Sequence, residues 1–111
     1  MEKRLLQQGD VLFFQMDELP KDLTPVKVKD PRGVVFAEGE VTGHCHATLL
    51  DEFIEVFQDP NNEMWVNITG EKPKVVTHQE HGDIALDPGV YKIGIVQEVD
   101  PFSEEIRKVA D

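Results

Sequence analysis

With 111 residues, 40% of them hydrophobic, the chain has the size of one domain around one core, large enough to fold without disulfides or a structural metal. Twenty-two acidic residues against eleven basic ones give a formal net charge of −11; such a surface repels phosphate backbones, and the basic residues are dispersed, so nucleic acid is disfavoured as a partner. A single cysteine excludes an intramolecular disulfide, and the N-terminal apolar stretch "VLFF" is too short for a signal peptide or a membrane span. The expectation is a soluble cytoplasmic protein with no membrane partner.

Short runs of Val, Ile, Phe and Thr recur along the chain between Pro, Gly, Asn and Asp, the pattern of an all-β fold: a small barrel or sandwich of short, mostly antiparallel strands. In chain order, strands are predicted at 10–16, 25–30, 33–39, 40–50, 53–58, 64–69, 74–79, 84–87, 90–99 and 105–110. The run "VLFF" is apolar at every position, which suits a strand buried on both faces. "DELPKDLTP" (17–25) reads as a polar loop. "DPNN" (59–62) supplies a proline of fixed φ and asparagines that tolerate the left-handed conformation, so the flanking strands should form a hairpin. "TGEKP" (69–73) reads as another turn, and "DPG" (87–89) as a type II turn with Pro88 and Gly89 at its centre. In the last long strand, alternation places Tyr91, Ile93, Ile95 and Val99 on one face.

Chemistry concentrates in the four histidines. "GHCH" places His44 and His46 two apart on a predicted strand, so both imidazoles point the same way, about 6.5 to 7 Å apart, with Cys45 facing oppositely. "HQEH" supplies His78 and His81 at the end of another strand. Zinc, iron, nickel and copper accept neutral imidazole nitrogen at about 2.0 to 2.1 Å. The expected cofactor is a divalent transition metal (zinc, iron, nickel or manganese) on His44, His46, His78 and His81, with Asp51 or Glu80 as a further ligand or general base. Cys45 reads as a small buried hydrophobe rather than a nucleophile, because its flanking histidines face away from it.

"GEVTGHCHATLLD" resembles the first motif of the cupins, small β-barrels in which a glycine, five residues, H-x-H, three or four residues and a glutamate follow in order. Here Gly39, His44 and His46 match, with four residues between Gly39 and His44 and Asp51 in place of the glutamate; the second cupin motif, a P-x-G followed by histidine, has no counterpart. The resemblance implies a metal held inside a barrel by His44, His46 and one later histidine, with a carboxylate completing the site. The wider pattern GEVTGHxH, then HxxHxxIxLxPGxY, is also similar to a group of small bacterial or phage-type proteins of unassigned function.

Two functions follow as expectations. One is a metal-binding β-domain acting on a small-molecule ligand by metal-assisted hydrolysis or isomerisation. The other is a non-catalytic interaction or assembly module, with ordinary surface histidines and sheet edges that form homo-oligomers. Whether the two histidine pairs meet in space separates them.

Overall fold

Residues 4–38 and 43–96, those the computed structural model describes, form ten strands and no helix. β1 (Leu5–Gln8) and β2 (Val11–Met16) are joined by only Gly9 and Asp10, in a hairpin that pairs Gln8 with Val11 and Leu5 with Phe14. Gly9 has φ 59°, the left-handed conformation such a tight turn demands and glycine supplies without a Cβ clash. β1 is an addition to the predicted elements. Gln7 and Gln8 interrupt its apolar pattern, although a Gly-Asp pair between two runs is itself a hairpin signal.

β10 (Gly89–Ile95) pairs antiparallel with both β2 and β7 (Met64–Ile68); β6 (Ile54–Gln58) follows, and β3 (Thr24–Pro25) forms the far edge, giving the order β1-β2-β10-β7-β6-β3. Two antiparallel ribbons complete the described strands: β4 (Val34–Glu38) with β5 (Cys45–Thr48), and β8 (Lys74–Val76) with β9 (Ile84–Leu86). The fold is all-β, as predicted. The six-stranded sheet ends on two different strands, so among the described residues it does not close into the barrel that a cupin would show.

The core explains the pairing. Tyr91, Val66 and Val56 stand directly opposite one another across three strands, and with Val11, Phe13, Ile54, Ile68 and Ile93 they give the sheet one buried apolar face. The ribbons add Val34, Phe36, Val76 and Leu86 to the same cluster. Phe36 sits where the β4–β5 register shifts; the bulge turns its ring to an edge-on contact with Phe13, 5.1 Å between centroids at 83°, a favoured aromatic geometry. The opposite face of the sheet is wetter than "VLFF" suggested: Phe13 is 0% exposed but Phe14 is 36% exposed, so β2 is buried on one face only.

The β6–β7 hairpin forms as predicted. Asn62 takes φ 65°, and the Asp59 carboxylate accepts hydrogen bonds from the amides of Asn61 and Glu63 and from the Trp65 indole. Other predictions are trimmed. Of 25–30 only the first residue joins a strand, the described part of 40–50, residues 43–50, is strand only at Cys45–Thr48, and 74–79 contracts to Lys74–Val76. Gly89 has φ 148° and already pairs with Ile68, outside the roughly +80° of a type II turn. Ile95 is exposed rather than buried with Tyr91 and Ile93, because it lies at the end of the sheet. Val99 and the strand predicted at 105–110 lie outside the described residues. Among the described residues no helix is long and apolar enough to cross a membrane.

Candidate functional site

The two histidine pairs meet. After β8 the chain makes one reciprocal bridge to β5, the Ala47 amide donating to the Thr77 carbonyl at 3.1 Å and the Thr77 amide to the Ala47 carbonyl at 2.8 Å. The loop that follows is docked by Gln79, whose Oε1 accepts the Cys45 amide at 2.9 Å while its Nε2 donates to the Gly43 carbonyl at 3.2 Å. Gln79 therefore clamps "HQEH" onto the backbone on either side of His44. The ring centroids of His46 and His78 are 4.3 Å apart, those of His78 and His81 4.6 Å, and His44 lies edge-on to His78 at 5.8 Å. Cys45 is buried, as expected of a small hydrophobe.

His46 is the anchor. It is 2% exposed, and Gln8, beside it on β1, is 3% exposed. The Gln8 amide nitrogen donates to the carbonyls of Val76 and Gly82, each at 2.9 Å, so its Oε1 is left to accept from His46 Nδ1 at 2.8 Å. That assigns the tautomer: the proton is on Nδ1 and the lone pair on Nε2. Metal-ligating histidines are held in the same way, the second nitrogen donating to a fixed oxygen. His46 Nε2 faces Asp10 Oδ1 across 3.5 Å. With the proton on Nδ1 these are two acceptors facing each other, the carboxylate being largely exposed to solvent, and their spacing is close to the edge of a tetrahedron with 2.0 to 2.1 Å bonds, about 3.4 Å. His44 Nδ1 and Glu80 Oε2 form a second nitrogen–oxygen pair at 3.7 Å, nearer solvent.

The remaining candidates are placed differently. His78 Nδ1 accepts the amides of Glu80 at 3.0 Å and His81 at 3.3 Å, so this imidazole caps its own loop with its lone pair. His81 is exposed and stacks over His46 at 5.8 Å. Asp51 is not brought to the histidines: it lies beyond the other end of β5, accepting from Lys74 Nζ at 2.7 Å and from the Phe53 amide at 2.8 Å. Among the described residues no group of three or more His, Cys, Asp or Glu side chains already converges as a metal site. Gln8, Asp10 and Gln79 were missed from the sequence. The Gly-Asp hairpin signal could have placed Asp10 at a turn, but nothing local to the glutamines marks their partners.

Burial first, and then the neighbouring His78, hold the His46 pKa below its usual 6.5, against a smaller upward pull from Asp10. His78 is lowered in the same direction, by burial and then by His81 and His44. Both side chains are more basic in the unfolded chain, which therefore takes up protons that the folded state refuses as pH falls through about 6.5. Stability should be complete above that pH and decline below it, by up to about 1.4 kcal/mol per pH unit for each histidine. Asp51 and Asp59 are also lowered, from 3.8, so their loss comes in a separate, more acidic window. Thermal melts between about pH 7.5 and 5 isolate the histidines. His78→Asn, whose Oδ1 can keep the loop cap, should flatten the decline; an unchanged slope would refute the assignment to His78.

A family model described as "Domain of unknown function (DUF8820)" matches residues 7–96. The chain belongs to the DUF8820 family. The match is not to the cupins, and the open sheet agrees with that. No curated protein and no solved structure matches this DUF8820 chain. The matched span contains all four histidines together with Gln8, Asp10, Gln79 and Glu80, so the whole cluster lies within the DUF8820 domain.

Proposed function

We propose that this DUF8820 domain binds a divalent transition metal at the histidine cluster. The observation that carries the proposal is His46: buried, fixed by Gln8 with its Nε2 lone pair outward, and set one ligand spacing from Asp10. Asp10 thus joins the histidines as a ligand candidate. His81, exposed and on a loop, turns in as the third ligand at little cost; His44 with Glu80 stands at the rim; His78 joins only by releasing the two amides it caps. Loading therefore requires side-chain movement around a preformed His46–Asp10 edge.

A metal here would serve hydrolysis or isomerisation of a small molecule, by polarising an oxygen of the substrate or lowering the pKa of a bound water. Glu80 is the carboxylate positioned as base; Asp51 is committed elsewhere. The alternative, an interaction module with ordinary surface histidines, fits poorly with an imidazole that is 2% exposed.

Elemental analysis of protein made without a polyhistidine tag should find close to one equivalent of zinc, iron, nickel or manganese, and added metal should raise the melting temperature, since a ligand at a hundred times its Kd adds about 2.7 kcal/mol. His46→Ala and Asp10→Asn should lose both. Less than about a tenth of an equivalent, with no thermal shift on adding zinc, nickel or manganese, would sink the proposal.

A further inference from the structure

Beyond the end of β5 that is opposite the histidines, the chain leaves a cavity of about 650 Å³, within the size range of small-molecule sites. Its walls include Leu49, Phe53, Pro73 and Val75. Leu49 is 76% exposed, Val75 48% and Phe53 45%, so three large apolar side chains stand in water around one concavity. Surface hydrophobes scattered singly carry no message, but a cluster around a cavity marks a binding surface. At the polar side stands Lys74, 8% exposed, whose ammonium donates to Asp51 Oδ2 at 2.7 Å. That is its hydrogen bond among the described residues, and an ammonium carries three donors.

We propose that this cavity is a second, separate binding site, for a neutral, largely apolar small molecule with one hydrogen-bond-accepting oxygen of carbonyl type. The apolar walls take the body of the ligand, and a free Lys74 proton takes the oxygen. Neutrality follows from charge: Asp51 already balances Lys74, Glu71 balances Lys72 at the lining, and a chain of net charge −11 repels an anion before it arrives. Concavity selects a small molecule over a second copy of the chain, which would need a broad flat patch. The site shares no residue with the histidine cluster and stands or falls independently of the metal.

Nile red, a neutral dye whose ring system carries a carbonyl oxygen, is a suitable probe. Titrated into the full chain it should bind saturably at one site per protomer with blue-shifted emission, and the anionic dye anilinonaphthalene sulfonate should bind more weakly. Leu49→Glu and Val75→Glu, both at exposed positions, should each weaken Nile red at least tenfold with far-UV circular dichroism unchanged. Lys74→Met, which keeps the aliphatic stem and removes the donors, should weaken it several-fold. His46→Ala should leave it unaltered. Non-saturable binding, or saturable binding indifferent to both glutamate variants, would overturn the proposal. So would sedimentation showing a dimer that Leu49→Glu dissolves, because a second copy would then be the occupant.

Discussion

Gln8→Leu is expected to cost about 2 to 5 kcal/mol of stability and about 10- to 100-fold in metal affinity. Leucine fills nearly the same volume but leaves three groups without their partner: His46 Nδ1–H and the carbonyls of Val76 and Gly82. The first two lie in the buried interior, where an orphaned polar group costs about 1 to 3 kcal/mol; the third is nearer water and adds less. Affinity falls for a different reason. Without Gln8 nothing on β1 selects the His46 tautomer, and a ring with its proton on Nε2 has no lone pair to offer towards Asp10. Chemical denaturation measures the first effect and metal titration of the folded fraction the second. Gln8→Glu separates them: its carboxylate still accepts from His46 while the donors to Val76 and Gly82 are lost, so affinity should survive better than stability. Equal losses of affinity in both variants would refute the orienting role.

Gly33→Ala should be the most damaging of the small substitutions, on the order of 3 kcal/mol or more. Gly33 has φ 101°, strained for any L side chain, and an added Cβ would fall well inside contact distance of the Thr48 backbone carbonyl, with the Leu50 amide also close. A carbonyl fixed in a ribbon cannot move aside as a flexible side chain can. The strain would enter at the start of β4 and be passed to β5, the strand that presents His46. Gly82→Ala is the control: a Cβ there meets nothing within 4 Å, and the change should lie within about 1 kcal/mol of neutral. Equilibrium unfolding of the two variants side by side is decisive; equal stabilities would remove Gly33 from the account.

Much of this was legible in the sequence, for local reasons. Alternation marked Tyr91 and Ile93 as buried, Asp59 to Asn62 specified the β6–β7 hairpin, and Cys45 read as a buried side chain. What could not be read depends on pairing between distant segments. Whether Phe14 is covered depends on what lies across the second face of the sheet, and Asp51 was claimed by Lys74, 23 residues away. Gln8 and Gln79 matter because of the carbonyls and amides they reach 34 to 74 residues away, and a glutamine in isolation carries no sign of that. The carboxylate facing His46 is Asp10, in the β1–β2 turn rather than at the start of the strand that "DVLFFQM" suggests.

The single bridge between Ala47 and Thr77 bears on the order of folding. It closes a loop of about thirty residues, and closure must precede any benefit from the contacts it allows. Neither histidine pair can sense the other until that latch is made. A chain in which that loop is still open holds its histidines as two separate pairs, so the four-histidine cluster exists only once the long-range pairing is in place.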